Sequence, residues 1–317
     1  MEIKPLVTIK CMVYNHEPYL RQCLDGFVMQ KANFKFEAVV HDDASTDDSA
    51  NIIREYTEKY PDTIIPIYES ENQYSKGGFD RVFQIVNKRI TGKYVAYCEG
   101  DDYWTDPYKL QNQVDYLESH PECGLVYTQA QQYEQVSGNI SLAWARQSDF
   151  KDILLNQNSI VTLTSCYRKT ILDDYYKEIK VNADWKMVDL PLWLYISYYS
   201  KIKFFSQVTG VYRILGESAS HSSDINKNID FILSSYSIKK YFAKNFNQNK
   251  YDRILITHTI NDLFKSSFLY DKNINRTVFK FAMSQHYLSF HLILKLIIFS
   301  SSIGRKLIIR KYSSKIL

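Results

Sequence analysis

Apolar residues in the first hundred positions come in short runs, each broken by a polar cluster and each followed by a helical pattern. Residues 6–13 are apolar and partly β-branched, and Tyr14-Asn15-His16-Glu17-Pro18 ends the run, which predicts a buried strand opening into a loop. Over 19–30, Leu20, Leu24, Phe27 and Val28 fall on one face of a helix. A second strand is predicted at 36–40. It runs into His41-Asp42-Asp43-Ala44-Ser45-Thr46-Asp47-Asp48-Ser49, whose side-chain oxygens suit the cap of a helix at 50–60. A strand at 64–68, a helix at 81–89 and a strand at 94–98 continue the alternation. Strands alternating with helices imply an α/β fold with a mostly parallel sheet flanked by helices.

Later strands are expected at 125–131, 161–167 and 204–212, with an aromatic helix at 190–199. From 226 to 317 the pattern is helical, and Gly304 is the one glycine. These patterns predict a domain over 1–222, which the resemblance described below divides into a nucleotide-sugar half at about 1–115 and an acceptor half at about 116–222, followed by a helical region over 223–317. In parallel sheets ligands gather at the carboxyl ends of the strands. Here those ends carry Tyr14-Asn15, Asp42-Asp43 and Glu99-Gly100-Asp101-Asp102.

Adjacent carboxylates placed twice at one sheet edge repel unless something positive lies between them. Hard oxygen ligands suit Mg²⁺ or Mn²⁺, cations that often complete their shell with substrate phosphates. Asp47 and Asp48 read as helix caps. Asp101 and Asp102, with Gly100 before them and Tyr103-Trp104 after, read as a tight loop against an aromatic wall.

The run Val-Thr-Ile-Lys-Cys-Met-Val-Tyr-Asn at 7–15, the cluster Asp42-Asp43-Ala44-Ser45-Thr46-Asp47 and the motif Glu99-Gly100-Asp101-Asp102-Tyr103-Trp104 occur in order. Together they resemble the inverting family 2 glycosyltransferases of the GT-A fold, of the bacterial surface-polysaccharide type, over about residues 5–220. The resemblance implies metal-dependent transfer of a sugar from a nucleoside-diphosphate donor, a uridine nucleotide by its base-directed residues, to a saccharide or lipid-linked saccharide. It also implies that Tyr14 lies against the base and that Asp43, with Asp42, accepts a hydrogen bond from the base edge. Asp101 would touch the ribose, and Asp102 would bind the Mn²⁺ or Mg²⁺ that bridges the diphosphate. Glu99 stands where the signature often has its first aspartate, and its role stays open. Asn72 and Lys76 are further candidates for ribose or phosphate contact.

An inverting transfer needs a general base on the face of the sugar opposite the leaving group. Asp189, in Val188-Asp189-Leu190-Pro191-Leu192-Trp193, resembles the family's acidic motif at a helix N-terminus, and Asp184 is its rival. The segment 212–221 resembles the one that closes over the donor, where His221 would add a metal ligand. Trp104 is a candidate for acceptor or sugar contact.

Charge and cysteines narrow the setting. With 39 basic and 35 acidic residues the formal net charge is +4, too mild to imply nucleic acid. Residues 286–317 form a basic segment, with Lys295, Arg305, Lys306, Arg310, Lys311 and Lys315 and no acid. There the apolar run 287–300 falls short of the ~20 residues of a spanning helix and is interrupted by Lys295. The segment 303–316 alternates basic and apolar residues, which suits an anionic membrane surface or packing against protein. Five scattered cysteines without zinc spacing read as free thiols in a reducing compartment. The start of the chain does not read as a signal peptide, so a cytoplasmic protein is expected, peripheral on the inner membrane face if the tail binds lipid. A nucleotidyltransferase would show a glycine-rich loop after the first strand, where this chain has Tyr-Asn-His-Glu-Pro. A non-catalytic carbohydrate-binding subunit has no need of Asp43, Asp101, Asp102 and Asp189 together.

Overall fold

The structure is a computed structural model and describes residues 4–182, 184–216, 224–268 and 280–284. The chain alternates β1 (Val7–Val13), α1 (Glu17–Val28), β2 (Phe36–Asp42), α2 (Ser49–Lys59), β3 (Ile64–Tyr68), α3 (Tyr74–Asn87) and β4 (Tyr94–Tyr97). There follow β5 (Tyr103–Trp104), α4 (Lys109–Ser119), β6 (Cys123–Glu134), β7 (Ile140–Leu142), α5 (Phe150–Leu155), β8 (Cys166–Arg168), α6 (Lys169–Glu178), α7 (Asp189–Tyr199) and β9 (Lys201–Ile214).

One sheet runs in the order β3-β2-β1-β4-β8-β6-β9-β5, with β7 paired to β6. The first four strands are parallel, as the alternating pattern predicts, with Val7 opposite Phe36 and Tyr94. The later half is mixed: β8 runs antiparallel to β4 and β6, while β6 and β9 run parallel. The sheet is therefore parallel in its first half only.

Along β1 the side chains alternate between two faces. Val7, Ile9, Cys11 and Val13 join Leu20, Leu24 and Phe27 of α1 in the main core. Each such fully buried aliphatic side chain contributes about 1.5–3 kcal/mol relative to an exposed one. The opposite face carries Thr8 and Lys10, both wholly buried. Lys10 donates to Asn87 Oδ1 at 2.9 Å and lies 3.9 Å from the centre of the Phe83 ring.

Two expected elements differ. The helix expected to begin at 81 already starts at Tyr74, but it is kinked at Gly77 and Gly78, and Gly78 has a φ of 65° that suits glycine. The strand expected at 161–167 is a 3₁₀ turn, Thr162–Thr164, followed by β8. There Thr164 Oγ1 donates to Val161 O and Ser165 Oγ to Thr162 O, both at 2.7 Å. Such local bonds compete with a strand ladder.

The chain divides into two compact units, residues 1–153 with 157–216, and 154–156 with 217–317. In the second unit, α8 (Ile225–Asn245) opens on an Asp224 side chain that accepts from Asn226 N, and α9 (Asp252–Phe268) follows. No helix among the described residues is long and apolar enough to cross a membrane.

Candidate functional site

Three loops leave the carboxyl ends of β1, β2 and β4. The first two are laced together. Asn15 and Ala44 both take left-handed backbone, at φ 55° and 60°. Asn15 N donates to Ser45 Oγ at 2.9 Å, and Asn15 Oδ1 accepts from Thr46 N at 2.7 Å. Non-glycine residues in this region carry about 1–3 kcal/mol of strain, so the surrounding bonds must hold them. Asp47 joins two helix starts by accepting from Glu17 N and Ser49 N, each at 3.0 Å. Asp48 bonds Asn51 instead of capping the helix backbone. Tyr14, beside this junction, is 45% exposed.

Asp42 and Asp43 are both buried. The Asp43 carboxylate accepts from Gln73 N at 2.7 Å and Tyr74 N at 3.0 Å, so it anchors the start of α3. Asp42 accepts from Ser45 N at a long 3.4 Å. Of the other loop candidates, Asn72 donates to Asp43 O, and Lys76 is ion-paired with Glu71.

The loop after β4 gathers three carboxylates. One ligand oxygen from each of Glu99, Asp101 and Asp102 lies within 4.8 Å of the others. Gly100 permits the loop to lie against α1, since a Cβ there would sit 2.8 Å from His16 Nδ1. Glu99 accepts from the Tyr97 hydroxyl at 3.1 Å. Desolvation, then the charge of Asp101, pushes Glu99 up to about 8. Burial, then Asp101 and Glu99, lifts Asp102 well above the usual carboxylate range. Carboxylates forced this close, Asp102 buried and the other two half-buried, form an oxygen donor set that fits a hard divalent cation, whose charge would relieve both effects.

Arg213, near the end of β9, ties this loop down. Its backbone N donates to Asp102 Oδ1 at 2.8 Å, and its Nε donates to Asp101 O at 2.8 Å. The rest of the fork reaches Gln135 at 3.0 Å and Gln22 at 2.8 Å. The rings of Tyr19, Tyr103 and Tyr133 surround the guanidinium at 4.7, 5.2 and 5.7 Å.

Asp189 is the first residue of α7. Its Oδ1 accepts from Leu190 N at 2.8 Å and its Oδ2 from Thr162 Oγ1 at 3.0 Å. Desolvation raises its pKa, and these two bonds oppose the rise. Its charge is also felt by Glu99, so Asp189 shares the electrostatic field of the acidic loop. Asp184 is exposed, and its backbone N bonds Asn182 Oδ1.

Trp104 does not line a sugar site. It is 2% exposed, its Nε1 donates to Leu163 O at 2.8 Å, and its ring meets Phe27 edge-on at 5.1 Å. In a strand adjacent residues face opposite ways, and the pairing of β5 with β9 turns Trp104 into the core. His221 and the segment 286–317 lie outside the described residues.

The sequence model described as Glycosyl transferase family 2 matches residues 10–179, more than half of the chain. The chain belongs to glycosyl transferase family 2. Among curated proteins it is similar to uncharacterized protein Rv1520 of Mycobacterium tuberculosis, 38% identical over 186 residues that cover 56% of this chain and 51% of the relative. It is also similar to poly(ribitol-phosphate) beta-N-acetylglucosaminyltransferase TarS of Staphylococcus aureus, 27% identical over 192 residues, 57% of this chain and 31% of TarS. The chain spans about half the length of the curated relatives it matches first.

Among solved structures, S. aureus TarS 1-349 in complex with UDP-GlcNAc superimposes with a TM-score of 0.63 at 18% identity, covering 87% of this chain and 81% of that one. The mannosyltransferase PcManGT from Pyrobaculum calidifontis, in complex with GDP-Man and Mn²⁺, gives 0.53 at 16%, covering 96% and 86%. At such identities the likeness is one of fold. This family 2 member has the GT-A architecture, an α/β sheet flanked by helices.

Proposed function

We propose that the chain is a metal-dependent, inverting glycosyltransferase that moves a sugar from a UDP-linked donor to a saccharide or lipid-linked saccharide in surface polysaccharide synthesis. The observation that carries this reading is the close approach of Glu99, Asp101 and Asp102 at the end of β4, with Asp189 in the same field. Family membership supports the reaction class. The UDP-GlcNAc and UDP complexes of TarS support a uridine nucleotide, and the GDP-Man and Mn²⁺ complex of PcManGT supports a divalent cation.

Asp102, with Glu99 and Asp101 beside it, would hold Mn²⁺ or Mg²⁺. A bound cation of this kind neutralises charge on the departing diphosphate. Asp101 would also meet the ribose. Tyr14 offers an exposed ring to the base, and Asp42 and Asp43 offer it their remaining lone pairs. Asp189 accepts the proton of the acceptor hydroxyl as the new carbon–oxygen bond forms at the anomeric carbon. The bond to the nucleoside diphosphate breaks on the opposite face, so the configuration inverts. The bonds from Thr162 and the Leu190 amide favour the ionised form of the Asp189 carboxylate and orient it.

His221 is retained as an added metal ligand. Residues 1–222 are assigned to catalysis and 223–317 to a helical region. The basic tail would bring the protein to the inner membrane face, where lipid-linked acceptors reside. The test is a panel of nucleotide sugars with Mn²⁺ or Mg²⁺, reading nucleoside diphosphate release from wild type, Asp102→Ala and Asp189→Ala. Metal-dependent release from one donor, lost in both variants, is the expected result. Neither release nor metal-dependent nucleotide binding would overturn the assignment.

A further inference from the structure

We propose that Arg213 is a positioning residue that holds the acidic loop in its metal-binding shape without touching substrate. The inference rests on the reading of that loop as a metal site. It starts from an imbalance: Arg213 is 7% exposed, yet no carboxylate among the described residues forms an ion pair with it. A buried guanidinium normally demands an acidic partner, because desolvating a charge costs several kcal/mol even after relaxation. Here neutral groups replace the water. Two glutamine amide oxygens, one peptide oxygen and three tyrosine faces surround the cation.

The contacts divide by function. The arms to Gln22 and Gln135 fasten Arg213 to α1 and to the residue after β6. The Nε bond to Asp101 O and the backbone N bond to Asp102 Oδ1 act on the loop itself, from a strand 111 residues later in the chain. The planar fork makes the Nε bond in a fixed direction, which a lysine ammonium cannot reproduce, whereas the backbone bond to Asp102 belongs to the strand whatever its side chain. The Arg213 side chain therefore sets where the Asp101 peptide lies before a cation arrives. No carboxylate side chain among the described residues claims the fork, so it acts on the loop through the Asp101 peptide oxygen.

A residue that merely fastens strands would lower stability and leave metal affinity alone. The two are separated by Mn²⁺ titration of the full chain, with and without UDP, read as free Mn²⁺ by electron paramagnetic resonance, beside the Tm of each variant. Outer partners of metal ligands typically change affinity by roughly 10–100-fold when removed, and Arg213→Gln is expected to weaken Mn²⁺ binding by that factor well below its Tm. Arg213→Lys, which keeps the charge and loses the fork, should fall between it and wild type. Gln135→Leu, which strips one fastening arm, should lower Tm with less than a threefold change in Mn²⁺ affinity. Should Arg213→Gln not fold, the Arg213→Lys and Gln135→Leu comparison decides. Unchanged Mn²⁺ affinity in the Arg213 variants, with wild type binding normally, overturns the positioning role alone. Wild type that binds no Mn²⁺ even with UDP overturns the metal site and this inference with it.

Discussion

Thr162→Val tests the assignment of Asp189 through a single hydrogen bond. The substitution keeps the shape of the side chain and removes the hydroxyl that donates to Asp189 Oδ2 at 3.0 Å. That bond favours the ionised carboxylate against the desolvation that raises its pKa, so its loss must raise the pKa further. A hydrogen bond to a charged group is worth about 1.5–3 kcal/mol, and a pKa unit corresponds to about 1.4 kcal/mol, which bounds the shift at roughly one to two units. Asp189 is only half-buried, so water recovers part of the loss and about one unit is expected. A general base works ionised. The acid limb of kcat/KM should therefore move up by about one pH unit, leaving activity on the plateau within about threefold of wild type and lowering it about tenfold below the limb. The assay is nucleoside diphosphate release between about pH 5 and about pH 8, with Thr162→Ser retaining the wild-type limb. A limb that stays in place while the rate falls uniformly would refute the reasoning. Turnover lost in Asp184→Asn but kept in Asp189→Asn would transfer the role to the rival acid.

Asp102→Asn should reduce turnover by roughly 10²–10³-fold or more. The same change should raise the Tm of the metal-free protein, since it removes one of three mutually repelling acids, and differential scanning fluorimetry in a chelator checks this. In metal-free wild type, Glu99 at about 8 binds its proton more tightly folded than unfolded, so stability falls as pH rises from the ordinary value near 4.5 toward 8. Added Mn²⁺ should flatten that fall in thermal melts, and a slope indifferent to Mn²⁺ would count against the site. Lys10 has the opposite sign: burial depresses its pKa from 10.5 to about 7, so the unfolded chain binds the extra proton and stability rises with pH across that window. Urea midpoints at pH 7 and 9 should show a smaller rise in Lys10→Met than in wild type. Gly26→Ala would place a Cβ 2.9 Å from the Trp104 backbone N, and chemical denaturation should show a loss of about 1–3 kcal/mol.

The parallel half of the fold is legible because β1, β2 and β4 are apolar runs that end abruptly in polar loops, and the loops carry the motifs. The break at Gly77 and Gly78 interrupts the helical period, so the first turns of α3 do not announce themselves. At 162–164 the threonines look β-prone until their hydroxyls are seen bonding their own backbone. Trp104 follows two acids in sequence, but its burial depends on strand pairing that no local pattern contains. Arg213 lies in the segment 212–221, where no neighbouring residue in the sequence marks its partners. Its contacts with Gln22, Asp101 and Gln135 join parts of the chain that only the finished sheet brings together. The rival acids show the same limit: spacing admits both, and only the fold gives Asp189 a bond from the Thr162 hydroxyl and a share in the field at Glu99.

All five cysteines are unpaired and buried, and two of them lie directly under the acidic motif, with Cys23 Sγ 3.3 Å and Cys98 Sγ 3.7 Å from Glu99 O. Burial holds the Cys98 thiol up at about 11, in the form that alkylating reagents attack slowly. The folded protein is thus nearly silent to such reagents without any cysteine being replaced. A single cysteine introduced on the surface would take a spectroscopic label selectively, and the slow labelling of the native thiols becomes a clock for the parting of β1, α1 and β4 beneath the acidic loop.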